Sequence, residues 1–180
     1  MKKDSKMVGV SKLDIPVQKK DNGVISFEIP LIECLCARRL LSSLDGKVKI
    51  GNAVKEIICS DRFVFPQDVV FDVSILPGTM FSDENRNIAT AEKLGQDMGI
   101  KNESCYQTAV VACLMHVHAV SLQEHGINFW SVLSRPFTDH TTVSRIFGTV
   151  RSGWLDAVSA NPRSVISRQD HGFALVSIRA

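Results

Sequence analysis

A nearly unbroken apolar run in the middle of the chain constrains the fold more than any other feature. It covers residues 104–122 and reads SCYQTAVVACLMHVHAVSL. Ser104 and Gln107 have the spacing of a capping box at a helix start, and Gly126 follows the run where a helix end favours glycine. Because few polar residues lie between these signals, we expect one central helix that is buried on most sides.

This run does not have the character of a membrane span. His116 and His118 interrupt it, its start is polar, and it falls short of the roughly 20 apolar residues that a span needs. The N-terminal residues do not combine a basic start with an apolar segment, so the sequence does not indicate a secretory signal peptide. We therefore expect an intracellular, cytoplasmic protein with reduced cysteines.

The first half of the chain carries mainly strand patterns. Residues 13–18 and 24–29 flank Asp21-Asn22-Gly23, which predicts a β-hairpin, and Pro16 places its first strand at a sheet edge. A short helix is predicted at 33–44. The remaining predicted elements are a second hairpin about Gly51-Asn52, built from 47–50 and 53–59, and a strand at 69–76.

The second half reads mainly as helices. Besides the central helix, we predict a helix at 88–98, a short apolar turn at 128–133 and an amphipathic helix at 141–159. Residues 173–178 predict a buried strand that returns to the sheet. The predicted fold is α+β, with a mostly antiparallel N-terminal sheet of about five strands packed on the central helix and further helices. Residues 1–11 are expected to be a flexible basic tail, and 12–180 a single domain.

Composition excludes several function classes. With 44% hydrophobic and 22% charged residues, the chain is not mainly disordered. A net charge of +2, one tyrosine and two tryptophans do not indicate sequence-specific nucleic-acid binding. No glycine-rich phosphate loop is present, so we expect no cofactor.

The lysines near the N-terminus form a candidate contact with an anionic membrane surface. The alternative is that they only keep the tail solvated. These residues are Lys2, Lys3, Lys6, Lys19 and Lys20.

The five cysteines and five histidines do not have the spacing of a metal site. Cys34 and Cys36 lie two residues apart, and no C-x₂-C or H-x₃₋₅-H pair completes a zinc site. His116 and His118 are also two apart, which on a helix sends them to different faces. We expect no bound metal.

Cys105 and His171 form the candidate catalytic pair. Cys105 would open the central helix, where the helix dipole lowers a thiol pKa, and His171 would precede a buried strand. The segments SCY (104–106) and HGFALV (171–176) resemble the cysteine and histidine regions of papain-like thiol proteases, including viral leader proteases. That resemblance implies Cys105 as nucleophile and His171 as base. Neither Asn nor Asp follows His171 to orient its ring. The non-catalytic alternative is that Cys105 is a small residue at the edge of the core and His171 a turn residue at a strand end.

Three aromatic residues in predicted loops are candidate partner contacts, namely Phe63, Phe65 and Phe81. Exposed apolar side chains of this kind mark interaction surfaces. The alternative is that they cover the core.

In size, basic lysine-bearing tail and order of sheet and helices, the chain resembles the matrix proteins of plant-infecting rhabdoviruses. The resemblance implies a non-enzymatic protein that associates with itself, attaches to a membrane through basic residues and contacts a nucleocapsid. It also implies a location at a membrane surface or in a virion. No P-P-x-Y budding motif is present. An effector that binds a host protein through a sheet edge is a third possibility.

Overall fold

The computed structural model describes residues 16–31, 36–59, 67–103, 108–134, 143–149 and 153–179. In this part of the chain, eight strands form one sheet in the order β1-β2-β4-β8-β5-β6-β7-β3. The strands are β1 Gln18–Lys19, β2 Ile25–Leu31, β3 Lys49–Ile50, β4 Val69–Pro77, β5 Phe129–Ser134, β6 Val143–Thr149, β7 Trp154–Ala160 and β8 His171–Arg179. The helices are α1 Ala37–Leu44, α2 Asn52–Ile58, α3 Ile88–Asp97, α4 Thr108–Leu114 and α5 Ala119–Glu124.

The sheet is mixed, since β8 pairs in parallel with β5, and β3 in parallel with β7. The other neighbouring strands are antiparallel. The last strand, β8, lies between β4 and β5 in the interior of the sheet. The predicted α+β class and the returning C-terminal strand are therefore confirmed.

The first hairpin is confirmed between β1 and β2. Gly23 has a φ of +84°, which glycine adopts without strain, and its backbone N–H donates to the Lys20 carbonyl. The Asn22 side chain accepts a hydrogen bond from the backbone N–H of Val24 at 3.1 Å. The strand β1 lies at a sheet edge, as Pro16 predicts.

Two hydrophobic clusters cover the opposite faces of the sheet. Alternate side chains of β2 are buried, so one face packs against α1, α2 and α4. We call this cluster the larger core; it includes Phe27, Phe71, Leu44, Ile58 and Val111. The other face packs against α3 through Leu76, Phe173 and Leu175, in what we call the smaller core.

The predicted second hairpin is wrong. Its first part is the two-residue strand β3, but its second part is helix α2. Val54 and Ile58 are buried in the larger core four positions apart, which is helical spacing, while Lys55 and Glu56 face water. In so short a segment the alternating and helical patterns overlap, and packing against the core decides between them.

The predicted helix at 141–159 is also wrong, because the residues described there form β6 and β7. These two strands pair from Val143 with Ala160 to Thr149 with Trp154, and β6 also pairs with β5. The predicted apolar turn at 128–133 is largely β5 itself. Gly148 and Gly153 disfavour a helix. One edge of β5 is open for pairing, and the β-branched and aromatic residues of β6 and β7 favour strands that extend the sheet from that edge.

The central helix is interrupted in the structure. α4 ends at Leu114, a 3₁₀ turn covers Met115–His118, and α5 follows. Its predicted burial is confirmed for residues 110–115, but Val120 on α5 is 70% exposed. The predicted cap at Ser104 lies outside the described residues. Gly126, with a φ of +81°, follows the end of α5 as expected.

The two shorter predicted helices are present. α1 occupies Ala37–Leu44, residues 33–35 of its predicted span lie outside the described residues, and α3 occupies Ile88–Asp97. The Asn87 side chain caps α3 by accepting a hydrogen bond from the Thr90 N–H at 2.9 Å. A Cβ at Gly95 would collide with the Leu175 side chain, so this glycine lets α3 approach β8 closely.

Candidate functional site

An open cleft of about 950 Å³ lies where the end of α1, strand β3 and the start of α2 meet. It is lined by Leu41, Ser42, Leu44, Asp45, Gly46, Lys47, Val48, Lys49, Ile50, Asn52, Lys55 and Gly153. This basic cleft combines lysines with aliphatic side chains, and it is the concave site on which the functional argument rests.

The backbone around the basic cleft is held by a turn and a short parallel pairing. After α1, Gly46 takes a φ of +71°, and the N–H groups of Lys47 and Val48 both donate to the Leu44 carbonyl. Lys49 N–H then donates to the Gly153 carbonyl at 2.6 Å, which fixes β3 beside β7. The basic cleft therefore depends on residues about a hundred positions apart in the chain.

The charge of the basic cleft is positive. Three lysines and one aspartate line it, which is a net charge of +2. Lys47, Lys49 and Lys55 are all exposed, and Leu41, Val48 and Ile50 are partly buried in its wall. Among the described residues that line it, none is aromatic. Such a site suits an anion that is attached to an aliphatic group.

The lysines predicted from sequence do not join the basic cleft. Lys19 and Lys20 are exposed on the first hairpin, and β1 and β3 are the opposite edges of the sheet. Lys2, Lys3 and Lys6 lie outside the described residues. Sequence reasoning missed Lys47, Lys49 and Lys55, although their spacing within nine residues is a local signal of positive charge.

His171 opens β8 and is nearly buried, with 7% of its surface exposed. Its Nε2 forms a 2.7 Å hydrogen bond with Oγ of Ser131, a fully buried residue of β5. The ring also lies 5.1 Å from that of Phe173, measured between centroids. Cys105, its predicted partner, lies outside the described residues. Sequence reasoning missed Ser131, whose role depends on the pairing of β5 with β8.

Arg86 is a buried charge that the sequence does not reveal. Its guanidinium donates to the carbonyls of Gly78 at 3.0 Å and Ile166 at 3.2 Å. It also pairs with an Asp83 oxygen at 2.7 Å, and this hydrogen bond is the main cause that lowers the pKa of Asp83. We call this group the Arg86 hub. It ties the segment after β4 to the segment before β8.

The predicted aromatic contacts have different outcomes. Phe81 is 8% exposed and packs edge-to-face on Phe173, with ring centroids 5.4 Å apart. It covers the smaller core rather than presenting a surface to a partner. Phe63 and Phe65 lie outside the described residues.

The histidines of the central segment serve its packing. His116 donates through Nδ1 to the Cys113 carbonyl at 2.8 Å, and the His118 ring lies 4.5 Å from that of Phe27. Burial is the main cause that lowers the pKa of both histidines, and Lys47 contributes for His116. Within the described residues, no three His, Cys, Asp or Glu side chains are grouped so that they could hold a metal ion.

The described cysteines are free thiols in contrasting surroundings. Cys36 and Cys59 are exposed, whereas Cys113 is fully buried. Burial raises the pKa of Cys113 to about 12, so this thiol stays protonated and unreactive. Cys34 lies outside the described residues.

None of the helices in the described part of the chain has the length and apolar character needed to cross a bilayer. In comparisons of the chain with protein-family models, with curated proteins and with solved structures, no match was found.

Proposed function

We propose that this chain is a non-enzymatic structural and interaction protein of the viral matrix type. In this role it associates with itself and bridges an anionic membrane surface and a nucleocapsid. The observation that carries the proposal is the group of exposed lysines in the basic cleft, Lys47, Lys49 and Lys55.

His171 links two strands of the sheet. Its Nε2 atom bonds to Ser131, and its ring packs beside Phe173. Ser131 has no exposed surface, so its hydroxyl does not reach a substrate. This polar link between β5 and β8 gives His171 a structural role within the sheet.

The distribution of charge supports an interaction role. The buried cation Arg86 is used to hold loops together, while the lysines of the basic cleft and of the first hairpin are exposed. Exposed lysines attract anionic surfaces without a chemical step. The self-association and nucleocapsid parts of the proposal rest on the resemblance to matrix proteins.

Alkylation rates test the non-enzymatic role against the cysteine-protease alternative. Under native conditions near neutral pH, iodoacetamide should modify Cys105 no faster than the exposed Cys36 and Cys59, as measured by peptide mass spectrometry over time. A Cys105 rate far above these two, reduced to their level in H171Q, would show a catalytic pair and overturn the proposal. The exposed thiols serve as internal controls.

Sedimentation tests self-association. The weight-average mass should rise above that of the 19.9 kDa chain as protein concentration increases. A mass that stays at the monomer value at every concentration removes the self-association part of the proposal.

A further inference from the structure

We propose that the basic cleft is a binding site for the head group of an anionic phospholipid, with the phosphate facing its lysines. This inference rests on the membrane role in the proposed function, and it names where on the molecule that role is carried out.

The basic cleft concentrates positive charge. Lys47 and Lys49 come from the turn after α1 and from β3, while Lys55 comes from α2, so three separate elements direct positive charge to one concavity. Asp45 offsets one of these charges. A lysine ammonium is a compact point charge with three donors that binds phosphate oxygens. A concave arrangement places several such donors around one anion.

An aliphatic wall distinguishes the basic cleft from a site for phosphate alone. Leu41, Val48 and Ile50 line the basic cleft and are only partly buried, so they still offer apolar surface. A free phosphate ion gains nothing from such a wall. A phospholipid carries a glycerol ester and acyl chains directly beside its phosphate, and these groups match an aliphatic wall. Lysine stems also lie along apolar surface while their ammonium groups stay in water.

The composition of the lining also separates a lipid from a nucleic acid. Proteins that bind single strands without sequence preference stack the bases on aromatic side chains, each stack contributing about 1–3 kcal/mol. The described lining of the basic cleft contains none.

The experiment is co-sedimentation of the full chain with vesicles of phosphatidylcholine alone and with added phosphatidylserine. Binding of the wild type should require phosphatidylserine. The cleft variant K47Q/K49Q/K55Q should bind roughly a hundredfold more weakly, about fivefold for each lysine. All three side chains are exposed, and equal urea midpoints for variant and wild type would show that the fold is kept.

The matched control is K93Q/K101Q/R163Q, which removes the same charge from exposed positions outside the basic cleft. It should lose no more than a few-fold in binding. If the cleft variant binds no more weakly than this control, the inference is overturned.

A third variant separates this inference from the proposed function. If K2Q/K3Q/K6Q/K19Q/K20Q abolishes binding while the cleft variant retains it, the membrane role stands and the basic cleft is not its site. Equal, negligible wild-type binding to both kinds of vesicle would overturn the inference and the membrane role together. A short RNA that displaces the vesicles from the basic cleft would overturn the lipid assignment.

Discussion

The two faces of the sheet are held by different physical means. The larger core is built from aliphatic and aromatic side chains that α1, α2 and α4 press onto one face. The smaller core has fewer apolar residues, and beside it the Arg86 hub ties loops together through a buried charge. Helices bury an apolar stripe and satisfy their own backbone groups, whereas loops leave carbonyls that need donors from elsewhere.

The two faces of the sheet should respond differently to mutation, pH and charge. The larger core should respond most to lost volume. The smaller core should respond most to lost hydrogen bonds.

The largest effect is expected for F71A in the larger core. Phe71 is fully buried, and its removal should lower the free energy of unfolding by about 3–5 kcal/mol through lost burial and the cavity left behind. Urea denaturation followed by circular dichroism measures this loss. V120A is the control, since Val120 is 70% exposed and should change stability little. Similar losses in both variants would contradict the role of the larger core.

R86M is expected to have the next largest effect. It keeps most of the apolar stem but removes the guanidinium hydrogen bonds to the carbonyls of Gly78 and Ile166, for a loss of about 2–4 kcal/mol. R163M, at an exposed arginine, is the matched control. If R86M is as stable as R163M, the Arg86 hub does not stabilise the face of the sheet that the smaller core covers.

A smaller effect should come from pH on the larger-core side. Burial lowers the pKa of His116 and His118 in the folded state below the ordinary 6.5, so the unfolded chain binds more protons as pH falls. Stability should therefore be complete above pH 6.5 and decline as the pH falls below it. Urea midpoints between neutral and mildly acidic pH measure the decline, and H116Q/H118Q should flatten it. An unchanged slope in that variant would contradict the assignment.

The smallest effect is expected for D83N. The Asp83 side chain is 78% exposed, so the Arg86 hub keeps its carbonyl contacts and the loss at neutral pH should be much smaller than for R86M. Because the pKa of Asp83 is lowered from 3.8, its contribution is present above that value and is lost as pH falls through the folded pKa. Acid titration of wild type and D83N should differ only in that strongly acidic range. A D83N loss equal to that of R86M would show that the ion pair, rather than the carbonyl bonds, holds the Arg86 hub.

The sequence correctly predicts those elements whose structural neighbours also have a strong hydrophobic pattern. Buried residues alternate with less buried ones along β2, and β4 and β8 contain mainly apolar residues. Asn22-Gly23 specifies the turn before β2. Their pairing buries these residues on both faces, so local preference and tertiary packing agree. The same agreement explains why α3 was predicted within a residue of its observed end.

Candidate sites were harder to predict, because a site is a meeting of distant residues. The pairing of Ser131 with His171 crosses forty positions, and Arg86 reaches Ile166 across eighty. Lys47, Lys49 and Lys55 are close in sequence, yet the basic cleft exists only because β3 is held against β7. No local pattern reports such pairings.

The sequence by itself determined the α+β class, the first hairpin, the strand that returns to the sheet and the burial of residues 110–115, because hydrophobic periodicity and turn residues act locally. Tertiary structure alone decided that 143–149 and 154–160 form strands rather than a helix, and that Asn52–Ile58 is a helix rather than a strand. It also decided that Arg86 is buried. These outcomes depend on hydrogen-bond partners and packing surfaces far along the chain, which override weak local preference.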